Sequence, residues 1–318
     1  MTSYIIRRLL LIGVVLTAVS MLVFGITSVL PANVAYLILG QFAAPEQVAA
    51  LEAKLGLNDP VWLQYLRWAG GFLKGDLGTS MLMSRPIAPI LTEAIIRSLT
   101  LALTSFVLIA ILGIGLGVWA ALRHGRTADH VISVGTYIGV AVPEFFWGIA
   151  MIMIFAAWLG WLPAAGYVPI SDGFGLWLSH IIAPVITLVS GHLAHISRLT
   201  RSSMIETLQS PYVNAARAKG LPERIVVFRH ALRNALLPTI TVLAMDFGRL
   251  MGGIVVVETI FAFPGLGRLI IFSIQSRDLP TLQAAILVVA AIYAFANLLA
   301  DLLYARLNPR IRLGRNAA

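Results

Sequence analysis

The chain has 318 residues, of which 59% are hydrophobic and only 12% charged, and its mean hydropathy is +0.89. So much apolar surface cannot be hidden in a soluble core, so the bilayer is the expected solvent and an all-α, polytopic transmembrane bundle the expected fold. The formal charge of +9 comes from basic residues placed between apolar runs rather than on the face of a soluble domain, which excludes a nucleic-acid binder, and zero cysteines exclude a disulfide framework and thiolate metal sites.

Crossing about 30 Å of hydrocarbon takes roughly 20 apolar residues. Six runs qualify: 9–30, 99–122, 131–162, 178–199, 236–257 and 282–303. Arg7 and Arg8 could head a cleaved or twin-arginine signal, but the run behind them is long and no small-residue cleavage site closes it, so a retained first span is expected. The third run is too long for a simple span and carries Pro143, which predicts a kink or an early start. With the N-terminus inside, fifteen Lys and Arg residues fall in cytoplasmic segments and seven outside, with Arg249 within a span. The positive-inside rule then places both termini in the cytoplasm.

Residues 31–98 form the largest external segment. Asn58-Asp59-Pro60 is a helix start, and the aromatics Trp62, Tyr65, Trp68 and Phe72 after it share one helical face, as in an interfacial belt. Residues 201–235 form the largest cytoplasmic segment. Ser210-Pro211 reads as a helix cap with proline in the first turn, and Gly220 as the stop. A second short helix is expected from Pro222, with an apolar stripe at Ile225, Phe228, Leu232 and Leu236. Such a hairpin, with small alanines on its turn, suits a groove on a partner; it equally suits a solvated basic loop that sets topology.

Several stretches carry a family resemblance. YVNAARAKGLPERIVVFRHALRNALLP at 212–238 resembles the coupling-loop signature of binding-protein-dependent ABC transporter permeases, in the branch that imports dipeptides, oligopeptides and nickel. LGLNDPVWLQYLRW at 55–68, GDLGTS at 75–80, GWLPAAGY at 160–167, RLTRSSMIE at 198–206 and VVVETIFAFPGLGRLI at 255–270 match in the same order. The resemblance implies a single permease domain over 1–318 in the bacterial inner membrane. It implies as partners a second homologous permease, cytosolic ATP-binding subunits, an external solute-binding protein, and a transported peptide, with nickel or a modified sugar as alternative cargo. It also implies that Tyr212, Asn214, Ala215, Ala216, Lys219 and Gly220 dock on the ATPase. The family pattern has Glu, Ala, Ala, three residues and Gly; here Asn214 stands in place of the acid, which removes any salt bridge from that position. No GxxxxGK[ST] occurs, so ATP is expected to be bound by separate subunits, and no cofactor or metal is expected on this chain.

Four in-span charges are candidates for the translocation path or its gate. Asp246 and Arg249 are i, i+3 on one face of the fifth span and can pair. A single charge near mid-bilayer costs about 3 kcal/mol, so their face should meet protein or water. Similar permeases usually have uncharged residues there, which leaves a selectivity role and a structural ion pair both open. Glu144 follows Pro143, and Glu258 lies near the outer end of the fifth span, where it reads as gate architecture. Gly113/Gly117, Gly135/Gly139 and Gly248/Gly252 have GxxxG spacing, a packing signal.

Two rival classes fare worse. His192, His195 and Glu206 lack the HExxH arrangement of a membrane metalloenzyme, and no nucleophile elbow or paired carboxylates accompany them. An ion-coupled secondary transporter would be expected to show internal repeats, and none is visible. The topology is directly testable: a reporter fused at Gly125 should report cytoplasmic and one at Asp172 external, whereas an external Gly125 would overturn the span assignment.

Overall fold

The computed structural model describes residues 2–29, 36, 39, 40 and 42–307. Arg310, Arg312 and Arg315, which contribute to the charge bias, lie outside the described residues, as does part of the 31–98 segment. Among the described residues the chain is helical, with a single isolated bridge, Thr79 to Pro86. A helix satisfies its own backbone polar groups, which hydrocarbon demands.

The elements are α1 (Thr2–Val29), α2 (Pro45–Leu55), α3 (Val61–Leu73), α4 (Ile87–Leu122), α5 (Thr127–Ala141), α6 (Glu144–Trp158), α7 (Phe174–Leu208), α8 (Pro211–Ala218), α9 (Glu223–Ile260), α10 (Leu266–Gln275) and α11 (Leu279–Leu307). Five of these, α1, α4, α7, α9 and α11, are long and apolar enough to cross a membrane, and α5 with α6 makes a sixth if counted as one span. The third predicted span is thus not kinked but broken. α5 and α6 meet at 100°, with Val142 and Pro143 extended between them, and Trp147 Nε1 donates to Gly139 O across the break at 3.2 Å. Proline has no N–H to continue the helix and forces the residue before it out of helical geometry. α4, α7 and α9 have 36, 35 and 38 residues, far beyond what the hydrocarbon needs, so they project past it.

Contacts divide the chain into two units. One comprises residues 1–96 and 268–294. Within it, α3 packs on α1: Tyr65 OH hydrogen-bonds Ser20 Oγ at 2.8 Å, and the Phe24 ring meets Tyr65 at 5.6 Å and Trp68 at 5.4 Å. Part of the predicted aromatic belt therefore holds the first span, while Trp62 stays exposed. The GDLGTS stretch is a clasp. Gly75 and Gly78 take positive φ, Asp76 accepts from Gly78 N, and Ser80 Oγ donates to Asp278, which also accepts from Met81 N and Thr281 Oγ1 ahead of and within the first turn of α11. Gln283 Nε2 donates to Thr27 Oγ1 at 2.6 Å, tying α11 to α1.

The second unit, residues 97–267 and 295–318, has α7 at its centre, with α4, α5, α6 and α9 packed against it. Glycines set how closely these helices approach. A Cβ on Gly113 would lie 2.7 Å from Ile196, and one on Gly117 2.6 Å from Ser197 O, so this pair lets α4 lie directly on α7. Gly139 is equally tight against Ser190 O, whereas Gly135 and Gly252 face open space. Of the three GxxxG pairs only the first works as a pair. Leu103, Val107, Ile111, Val131 and Val134 stay exposed, as an apolar face toward lipid requires.

Gly117→Val should destabilise the detergent-purified protein by roughly 1–3 kcal/mol. Gly115, two residues away, has nothing within 4 Å of a built Cβ, so Gly115→Val should unfold at the wild-type temperature. Equal melting temperatures for the two variants would contradict the α4–α7 packing.

Candidate functional site

α8 begins and ends where the sequence places it. Pro211 occupies its first turn, the chain leaves through Lys219, and Gly220 takes φ +75, a left-handed conformation suited to glycine. Ser210 has the backbone of a cap, but its hydroxyl turns back to donate to Thr207 O at 2.6 Å and makes no cap hydrogen bond.

Beneath α8 lies a closed apolar cluster of Val213 and Ala216 with Ala121 from α4, Met204 from α7, and Val226, Val227, Ala231 and Ala235 from α9. Ala216 is only 6% exposed, so of the two predicted docking alanines it faces inward and Ala215 outward. The outward face carries Tyr212, Asn214, Ala215, Lys219 and Gly220. Tyr212 accepts a hydrogen bond from Asn234 Nδ2 at 2.9 Å. Arg217 closes the turn: it pairs with Glu223 at 2.8 Å and donates to Leu208 O and Asn214 Oδ1. The Glu223 carboxylate beside it holds the guanidinium pKa above its ordinary value.

The segment after Gly220 departs from expectation. There is no separate second helix, because α9 runs continuously from Glu223 into the span. Its buried stripe is Val226, Val227, Ala231 and Ala235, while Ile225 and Phe228 are exposed. A π-helical stretch at Val226–Ala231 is the cause. Its wider turn resets the phase that a 3.6-residue repeat assumes.

A second fastening lies close by in sequence. Arg201 on α7 grips Asp129 at the start of α5 through Nε to Oδ1 at 2.5 Å and Nη2 to Oδ2 at 2.7 Å. Gly125 N donates to the same carboxylate, and His124 Nδ1 lies 3.2 Å from it. Asp129 is 2% exposed, so this is a bidentate pair on a buried carboxylate with both oxygens engaged, the geometry in which such a pair holds.

Glu258 is fully buried and spends its carboxylate on the chain itself. Ser98 Oγ donates to Oε1, Gly267 N donates to Oε2 at 2.7 Å, and Ser98 Oγ in turn accepts from Leu266 N. A Cβ on Gly265 would collide with this carboxylate. The same knot draws in the 160–167 stretch, since Gly166 N donates to Phe261 O and the Tyr167 ring packs edge-on against Phe263 with Arg97 over its face.

Of the other three in-span charges, Glu144 sits where α6, α7 and α9 meet, and Asp246 and Arg249 line a space between α9, α5 and α7, with His192 neighbouring both places. Glu144 opens α6 and projects between Gly191 of α7 and Gly253 of α9, whose built Cβ atoms would fall 2.8 and 2.6 Å from its oxygens. His192 Nε2 lies 3.7 Å from Glu144 Oε1. Asp246 is 4% exposed, and Arg249 Nη1 stands 3.2 Å from its Oδ1, outside hydrogen-bond geometry. Among the described residues no group of three or more His, Asp or Glu is arranged to hold a metal ion.

Residues 113–313 match the model of the family described as "Binding-protein-dependent transport system inner membrane component", and residues 1–108 match its N-terminal counterpart. The chain belongs to this family. The permease is 38% identical to the dipeptide transport system permease protein DppB of Alkalihalophilus pseudofirmus, over 98% of this chain and 100% of that one. It is 37% identical to the oligopeptide transport system permease protein AppB of Bacillus subtilis, over 98% and 99%. A chain of the methionine ABC transporter MetNI, solved in inward facing conformations, superposes with a TM-score of 0.56 at 16% identity, over 69% of this permease and 96% of that chain, a likeness of fold. The permease is a multi-pass inner-membrane transport component, not an enzyme.

Sequence reading missed Asp129, Ser98, Asp278 and the glycines flanking Glu144. Asp129 gave one local sign, an acid in the first turn of a helix. Ser98 and Asp278 act across separations of 160 and 198 residues, and Gly191 and Gly253 reach Glu144 from other helices, which no periodicity reports.

Proposed function

We infer that this permease forms one half of the translocation pathway of an ATP-driven importer of di- or oligopeptides. Both termini lie in the cytoplasm, a second homologous permease completes the path, an external solute-binding protein delivers cargo, and two cytosolic ATP-binding subunits drive the cycle. The names of the relatives, dipeptide and oligopeptide permeases at 37–38% identity over nearly the whole chain, support the peptide cargo.

The observation that carries the coupling role is the two-sidedness of α8. Its inner face is locked to α4, α7 and α9, and its outer face presents a small residue, Ala215, beside Tyr212, Asn214, Lys219 and Gly220. A partner's groove can close over such a surface, because small side chains let backbones approach. A push on α8 is then handed to three long helices at once, and the bundle tips as a rigid body between inward- and outward-facing states. Glu144, Asp246 and Arg249 line the path, and Glu258 belongs to gate architecture.

Ala216→Arg would be a poor test, since it would break the buried cluster before any docking was assayed. Ala215→Arg leaves that cluster intact. It should cut peptide uptake by the complete transporter on the order of tenfold or more, equivalent to about 1.4 kcal/mol of lost docking. The permease should still reach the membrane, while ATP hydrolysis should no longer respond to cargo. Wild-type uptake by Ala215→Arg would sink the docking assignment.

A further inference from the structure

Asp246 opens onto a cavity of about 240 Å³, whose walls include Tyr137, His192, His195, Arg198 and Arg249. The carboxylate is the buried floor, and neither of its oxygens accepts a hydrogen bond. Arg249, its ion-pair neighbour, is 66% exposed and sits at the rim, as does Arg198, which stacks over the Tyr137 ring at 5.9 Å. A buried carboxylate with unused lone pairs is expensive and calls for a donor. The other buried acids of this unit, Asp129 and Glu258, have theirs. Asp246 differs from them in lining open space.

We propose that this cavity is a transit site for the amino-terminal ammonium of the cargo peptide, with Asp246 as its acceptor. This rests on the peptide-import reading. The volume lies below the about 300 Å³ at which sites for drug-sized ligands begin, so it admits the end of a peptide rather than a whole one. An ammonium is compact and offers three donors, which suits two unfilled carboxylate oxygens at the base of a narrow space. As it enters, it takes the place of Arg249 beside Asp246. No charge is stranded in the exchange, because the guanidinium moves from a partly exposed position toward solvent. Arg249 and Arg198 then stand at the rim, facing a carboxylate further along the cargo. The charge order, anionic floor and cationic rim, is the complement of a peptide entering amino end first.

The test uses the complete transporter in proteoliposomes, with its own binding protein, and a dipeptide in free and N-acetylated forms, scored as uptake per ATP hydrolysed. The binding protein is unchanged throughout, so any difference between variants belongs to the permease. Loss of a charged hydrogen-bond acceptor should reduce free-dipeptide uptake by Asp246→Asn about 10- to 100-fold. The double variant Asp246→Asn, Arg249→Gln should be no better. Arg249→Gln alone, which keeps the acceptor, should retain the wild-type ratio of free to acetylated uptake. If the carboxylate serves only Arg249, removing both charges relieves the strand and the double variant recovers wild-type uptake, which overturns the proposal. An Arg249→Gln variant that carries both forms equally well would also overturn it. A wild-type complex that moves neither form, while moving another solute, would instead refute the peptide reading itself.

Discussion

The apolar contact between α8 and the helix ends beneath it is the constraint on which the rest depends. α8 has only eight residues, too few to be stable alone in water. It exists because Val213 and Ala216 are buried against Met204, Val226, Val227 and Ala231. In the coupling proposed for α8, the packing that holds the helix in place is also what would make it a mechanical handle. Arg217 with Glu223 is partly exposed and adds little energy, but it fixes the turn that returns the chain into α9. Three residues before Met204 on α7, the Arg201–Asp129 grip ties the start of α5 to the same helix, so movement of α7 carries α5 with it.

The charges inside the spans divide into two kinds by their hydrogen bonds. Glu258 is saturated by Ser98 and Gly267 and anchors the 261–267 turn to α4, a buried acid in the role of a structural staple. Asp246 keeps unused lone pairs beside an arginine that is largely exposed. Only the second kind can exchange partners without breaking the fold. Glu144 lies between them in character, cradled by two glycines yet within 3.7 Å of His192.

Much of this was legible in the sequence. Apolar run length gave every span, since hydrocarbon thickness leaves little choice, and Ser210-Pro211 with Gly220 bracketed α8 because proline and glycine act locally. The failures were of two physical kinds. Periodicity assumes 3.6 residues per turn, so the π-helical stretch at Val226–Ala231 displaced the buried stripe from Ile225 and Phe228 to Val226, Val227 and Ala231. Local patterns also carry no information on which distant residues meet. The GDLGTS and VVVETIFAFPGLG stretches were conspicuous as strings, but that Ser80 clasps Asp278 and that Gly166 binds Phe261 follow only from the fold. Pro143 announced a disturbance without revealing a right-angle break rather than a kink.

The central claim is that this chain moves peptide by a motion imposed through α8, not by an ion gradient of its own. The most direct measurement is peptide uptake into vesicles containing the complete transporter, with ATP and an imposed ion gradient supplied separately. Uptake should require hydrolysable ATP and be indifferent to the gradient; accumulation driven by the gradient in the absence of ATP would contradict the account.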